Sequence, residues 1–169
     1  MSFVARNHPQ QVAARGPLDD VDDRRTTEDT LAECMSLAGV LTFDLDVAAN
    51  AENAKAPQWY GIADDGLVQP WFGRVWCNPP YSDVRPWVAK AHDESDRCTR
   101  IAMLLPANRT EQAWWQQEIE SCRDGRSGGA IRTHFLPGRR RFDRPDGWTA
   151  PAKGDRPPFG LVLVIWGLS

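Results

Sequence analysis

No run of about 18 apolar residues occurs in this 169-residue chain, so no segment is expected to cross a bilayer as a helix. The N-terminus has none of the apolar core that a secretory signal needs. Histidine is scarce and scattered (His8, His92, His134). The four cysteines, Cys34, Cys77, Cys98 and Cys122, form no Cys-x-x-Cys pair and no metal-ligand spacing. They read as reduced, partly buried thiols in a cytoplasmic protein that holds no metal. No Gly-x-Gly-x-x-Gly and no Walker lysine loop is present, which disfavours dinucleotide and nucleoside-triphosphate chemistry. No internal repeat is visible.

What is present describes one soluble domain with a real core. Hydrophobic residues make up 41% and charged residues 25%, the balance of an ordinary globular chain. Eight tryptophans are unusual, and several fall in the central third. The net charge of −3 hides an asymmetry. Residues 121–156 hold nine basic side chains (Arg123, Arg126, Arg132, Arg139, Arg140, Arg141, Arg144, Lys153, Arg156) against four acids (Asp124, Asp143, Asp146, Asp155). A local basic zone on an acidic body can bind phosphates, because salt screens repulsion beyond about 10 Å.

Residues 1–25 are polar, with an acidic cluster at Asp19, Asp20, Asp22 and Asp23, and read as a mobile tail; order is expected from about Thr26. Thr27 can cap a helix with Glu28 and Asp29 in its first turn and Gly39 as its stop. Leu31, Met35 and Ala38 would share its buried face. Val40–Val47 reads as a strand with Phe43, Leu45 and Val47 on one face. Arg74–Cys77 reads as a second strand, followed by a short helix carrying Trp87, Val88 and Ala91. Ile101–Leu105 is a third strand, ended by Pro106. Thr110 can cap a helix with Trp114 and Trp115 on its body, where both tryptophans read as packing. Residues 123–129 read as a loop, and Ile131–Leu136 and Leu161–Trp166 as strands. Residues 137–160, rich in Pro and Gly, form an irregular connection. Apolar strands alternating with helices argue for an α/β fold with a largely parallel sheet. Ligands of such sheets bind beyond the carboxyl ends of the strands, where this reading puts Asp44, Asp46 and Asn78.

The most specific motif is Asn78-Pro79-Pro80-Tyr81, directly after the apolar Val75-Trp76-Cys77. Two prolines cannot donate ladder hydrogen bonds, so the strand stops there. Asn78 Oδ1 and the Pro79 carbonyl can both accept from an exocyclic amino group, with Pro80 fixing the corner. Tyr81 can stack on the ring carrying that group, the way an extruded nucleic-acid base is read. Asp46, followed by the small pair Ala48-Ala49 and by Asn50, can accept from a ribose or an ammonium group. Asp65, in the acidic turn Asp64-Asp65-Gly66-Leu67, can receive an adenine amino group. Each acid taken alone reads more readily as a surface acid beside a turn.

In order, Phe43–Asn50, Asp65-Gly66-Leu67, Trp71, Val75–Ser82, Trp87, Leu104-Leu105-Pro106, Arg109-Thr110, Trp114-Trp115, Leu136–Arg139, Phe142 and Pro158-Phe159-Gly160 resemble the phage-type DNA N6-adenine methyltransferases, often called Dam-like. The resemblance covers roughly residues 26–166. It implies a compact, single-domain Rossmann-like fold over residues 26–169 and S-adenosylmethionine as donor. It also implies adenine in DNA as acceptor and, for a phage-encoded member, the host cytoplasm as location. It makes Asn78, Pro79, Pro80 and Tyr81 the catalytic motif and Thr27, Asp46, Ala48, Asn50, Asp65 and Asn78 the donor-binding set. Where many members have Thr-Pro at the first helix, this chain has Thr27-Glu28. Arg139, Arg140, Arg141 and Arg144 are the expected phosphate contacts. The alternatives are the same chemistry on RNA or a protein glutamine, and a catalytically silent DNA-binding module.

Overall fold

A computed structural model describes residues 24–144, 147 and 156–167. Most of the expected tail, residues 1–23, lies outside the described residues, but Arg24 and Arg25 do not. Arg25–Thr26 is a short strand, β1, with Arg24 ordered before it. Thr27 then caps α1 (Glu28–Ala38), its side chain accepting from Thr30 N, and Gly39 closes the helix at φ +68°. Leu31, Cys34 and Ala38 are buried and Met35 partly so, as the spacing requires.

The remaining strands and α-helices among the described residues are β2 (Leu45–Asp46), β3 (Gln58–Trp59), β4 (Gly73–Cys77), α2 (Arg85–Glu94), β5 (Cys98–Pro106), α3 (Ala113–Trp115), β6 (Arg132–Phe135), β7 (Phe142–Asp143) and β8 (Leu161–Trp166). Six strands form one sheet in the order β3-β2-β4-β5-β8-β6. β3, β2, β4 and β5 are parallel, whereas β8 runs antiparallel to both β5 and β6. The sheet is therefore mixed rather than uniformly parallel. Its last strand enters between two earlier ones, an arrangement that no local pattern encodes. A separate two-stranded ribbon joins β1 to β7, pairing Thr26 with Phe142 and Arg25 with Asp143.

Local chemistry explains where other expectations shift. The expected strand over residues 40–47 shortens to β2, because Leu41 is 91% exposed and burial begins only at Phe43. The helix expected from Thr110 begins at Ala113 instead. Its cap, Gln112, makes no side-chain bond to the backbone and accepts from Trp114 Nε1. Trp114 and Trp115 are buried, and the latter donates its indole N–H to Glu120 at 2.9 Å. α2 carries Trp87, Val88 and Ala91 on its buried face as expected, with Pro86 in its first turn.

The core is centred on β4, β5 and β8. Val75–Cys77, Ile101–Leu105 and all of β8 are buried, which is why none shows a two-residue alternation. Each large aliphatic side chain here contributes about 1.5–3 kcal/mol on leaving water. One glycine matters for the site. A Cβ on Gly66 would lie 2.1 Å from the Val47 carbonyl, so only glycine lets the 61–69 turn clamp onto the end of β2. The Trp71 indole N–H holds that turn through the Gly66 carbonyl at 2.8 Å.

Candidate active site

The ends of β2 and β4 meet at the site. Asp46 pairs in register with Trp76, and the chain continues through Cys77 to Asn78. Asp46 is only 3% exposed, and its carboxylate accepts from Lys55 N at 3.0 Å and Ala48 N at 3.3 Å. Burial pushes its pKa up to about 6, against the opposing pull of those two donors and the Lys55 charge. Asp44 lies at the other end of β2. It receives Arg74 Nε and Nη2 at 2.9 and 2.6 Å, and the side-chain bond to that guanidinium holds its pKa near 2. The expectation that Asp44 shares the carboxyl-end site with Asp46 is thus corrected. The Arg74 guanidinium at the start of β4 holds its side chain in a structural ion pair instead.

Asn78 Nδ2 donates to the Arg24 carbonyl at 2.7 Å. A carbonyl only accepts, so this bond fixes which way the amide lies. Asn78 Oδ1 is left buried without a hydrogen-bond partner among the described residues. An acceptor in that position costs about 1–3 kcal/mol until a donor arrives. Pro79 and Tyr81 are buried beside it, Pro80 partly so. The Tyr81 hydroxyl donates to the Leu104 carbonyl at 3.2 Å, and burial pushes its pKa well above the usual phenol range. The Tyr81 carbonyl accepts from the Arg109 guanidinium, which ties the Pro-Pro corner to the end of β5.

A cavity of about 20 Å³ lies at these strand ends, lined by Arg24, Arg25, Thr26, Asp46, Ala48, Asn53, Lys55, Trp76 and Asn78. Of the sequence-derived donor set, the structure brings together Asp46, Ala48 and Asn78. Thr27 spends its hydroxyl on the helix cap and on Thr30 Oγ1. Asn50 is exposed, and its Oδ1 accepts from Glu52 N and Asn53 N, shaping the turn beside the cavity. Asp65 is exposed at φ +56° and accepts from Leu67 N. Sequence reasoning missed Arg24–Thr26, Asn53 and Lys55. Two ion pairs hold this side, Arg25 to Glu52 and Lys55 to Glu28, each at 2.7 Å. The one available signal was the adjacent Arg24-Arg25 pair before the Thr27 cap, masked by the acidic tail.

The basic zone is less uniform than its sequence. Arg139 and Arg141 are exposed and Arg144 is half-buried. Arg140 is half-buried and pairs with Glu33 of α1 at 2.7 Å. Arg123 binds Glu120 and Asp124, and Arg126 also binds Glu120, so part of the positive charge is neutralised internally. Lys153 lies outside the described residues. No helix among the described residues is long and apolar enough to cross a membrane.

Comparison with known proteins adds independent findings. A family model described as DNA N-6-adenine-methyltransferase (Dam) matches residues 18–142, a span that includes Asp46, Asp65 and Asn78–Tyr81. A DNA N-6-adenine-methyltransferase of Escherichia phage T1 is 36% identical over 78 residues, 44% of this chain and 32% of that protein. One from Haemophilus phage HP1 is 27% identical over 85 residues, 50% of this chain and 49% of its own length. The match thus spans at most about half of either relative. A solved Pyrococcus horikoshii structure, described as that of a candidate RNA methyltransferase, superposes over 90% of this chain and 88% of its own. Its TM-score is 0.52 at 11% identity, a likeness of fold alone.

Proposed function

The chain belongs to the DNA N-6-adenine-methyltransferase (Dam) family, and from that premise we propose that it transfers a methyl group from S-adenosylmethionine to the N6 amino group of adenine in DNA. The observation that carries this reading is Asn78 Oδ1, a buried acceptor without a partner in the Asn-Pro-Pro-Tyr corner, two residues beyond the Trp76 that pairs with buried Asp46. Such an acceptor suits an exocyclic amino group. The Pro79 carbonyl is the second acceptor in this reading, and Tyr81 offers its ring, since its hydroxyl is turned onto Leu104.

The residues fit the donor. Asp46 is a buried carboxylate for a ribose hydroxyl or an ammonium group, and Ala48 keeps the wall beside it low. Asp65, on the turn clamped by Gly66, is assigned to the adenosine end of the donor, and Thr27 and Asn50 to the margin of its site. S-adenosylmethionine supplies an activated methyl group on sulfonium. The protein's part is to hold and align the two partners.

The adenine amino nitrogen is a poor nucleophile because its lone pair is delocalised into the ring. Hydrogen bonds to Asn78 Oδ1 and the Pro79 carbonyl draw its two N–H groups out of conjugation and stabilise the charge that develops there. No general base is needed before transfer, and the product loses its proton to water. DNA is held in this reading by phosphate contacts from Arg139, Arg141 and Arg144, with Arg140 positioned through Glu33. A phage enzyme of this kind would work in the host cytoplasm. The test is to incubate the protein with labelled donor and duplex DNA, with an RNA control, and to map the modified bases. Label on RNA alone, or none on adenine, would overturn the proposal.

A further inference from the structure

Phe135 ends β6 with about half of its surface in solvent, at 53% exposure. One side of its ring is braced by the buried Trp115, with centroids 6.2 Å apart. Trp115 is itself held by its indole bond to Glu120 and by an edge contact with Trp114. The exposed ring therefore stands on a fixed support. The outer edge of β6 is closed to a further strand, because the Asp124 carboxylate accepts from Thr133 N and Oγ1 at 2.8 and 2.6 Å.

Register places this ring on the edge that carries the Pro-Pro corner. Phe135 pairs with Val162, and Val162 with Leu105. Cys77 pairs with Met103, two residues before Leu105, so the row of Phe135 runs to the level of Pro79, next to Asn78. The strands between them follow the order β4-β5-β8-β6. Three spacings of about 4.8 Å set Phe135 about 14 Å from the corner. The major groove is about 12 Å wide, so a duplex lying along this edge can offer one nucleotide to Asn78 while Phe135 reaches its stack. Charge favours the same face. Trp59, Ile62, Val68 and Phe72 are also exposed, but in the chain they flank Asp64 and Asp65, which repel phosphate. Phe135 instead leads, four residues on, to exposed Arg139.

We propose that Phe135 inserts into the duplex as an apolar wedge and fills the gap that the extruded adenine leaves in the stack. The inference rests on the adenine-methylation reading above and adds a residue outside both the catalytic motif and the donor set. Taking a base out of a duplex forfeits its stacking and pairing. An inserted aromatic ring restores a stacking face at that position. In this role Phe135 touches the DNA and neither the donor nor the reacting nitrogen.

The test uses the full chain and two duplexes that carry an adenine methylated by wild type. They differ only opposite that adenine, where one has thymine and the other an abasic sugar. Phe135→Ala should slow single-turnover transfer to the paired adenine on the order of 10- to 100-fold. Transfer to the unpaired adenine should slow only a few-fold, because that base needs no unpairing. That nearly normal rate also reports a folded variant. Phe135→Leu, still an apolar wedge, should keep most of the activity on the paired duplex. Equal loss on both duplexes in Phe135→Ala, or no loss on either, would overturn the proposal. A second readout needs no methylation. Insertion between base steps unstacks and unwinds DNA, so wild type with S-adenosylhomocysteine should shift the linking number of a closed plasmid relaxed by topoisomerase, and Phe135→Ala should not. No shift by wild type, or the same shift by both proteins, sinks the wedge even where adenine is methylated. A shift that Phe135→Ala abolishes, without transfer to adenine, sinks only the methylation reading.

Discussion

The Tyr81 hydroxyl and the Leu104 carbonyl are 3.2 Å apart in the core, so the phenol is anchored from β5 and its ring is left as the part that can meet a ligand. Tyr81→Phe keeps the ring and loses one buried hydrogen bond. It should lower unfolding free energy by about 1 kcal/mol while single-turnover methyl transfer stays within a few-fold of wild type. Tyr81→Ala should also lose about 1–3 kcal/mol of base stacking. Urea unfolding and single-turnover rates measure both effects. Equal damage to transfer by Phe and Ala would mean that the hydroxyl, not the ring, is what matters.

Asn78→Ala removes the acceptor assigned to the amino group together with the bond to Arg24. Transfer should fall on the order of 100-fold, the scale set by losing one preorganised hydrogen bond at a reacting atom. Donor affinity, read by calorimetry, should change much less. A variant within a factor of two of wild-type activity would strip Asn78 of its role.

Asp46 gives a pH signature. Its pKa stands at about 6 in the fold against 3.8 when unperturbed, because burial disfavours the charge. Stability from the neutral acid is whole below about 3.8 and is lost as pH rises through about 6. Between pH 5 and 8 wild type should therefore lose about 1 kcal/mol relative to Asp46→Asn. The asparagine variant turns one amide N–H toward a backbone donor, at a cost that does not vary with pH, so the slope alone is diagnostic. Denaturant titrations at both pH values would show it, and parallel curves would mean that Asp46 ionises as if exposed.

The arginines should divide by their surroundings. Arg139→Gln should reduce the salt dependence of DNA binding by about 0.9 in the log–log slope if it meets one phosphate. Arg140→Gln breaks the pair with Glu33 and should lower stability by up to about 1 kcal/mol. An unchanged DNA slope in Arg139→Gln would move the phosphate surface elsewhere.

Much of the fold is legible in the sequence. Apolar runs located β4, β5 and β8, caps located α1, and two prolines marked the corner after Cys77, because each signal is local. Asp46 and Asn78 stand out in the sequence for the same reason. What the sequence hid was pairing at a distance. Arg24 and Arg25 read as tail because the partner of the Arg25–Thr26 strand, Phe142–Asp143, lies in an irregular Pro- and Gly-rich stretch with no strand pattern. The Arg140–Glu33 pair hid likewise, since a run of three arginines does not say which one meets Glu33. Asp44 and Asp46, two residues apart, look equivalent until the Arg74 guanidinium separates them.

The antiparallel β8 has a consequence for how the protein is made. β5 emerges from the ribosome with one side bare, and β6 has no sheet partner until β8 arrives to separate and join them. The nascent chain must carry an uncovered apolar strand edge while residues 107–160 are synthesised. Folding is thus sealed only once β8 has been made, by contacts of long sequence separation that form slowly. A ribosome stalled before Leu161 would hold a chain poised to aggregate through β5.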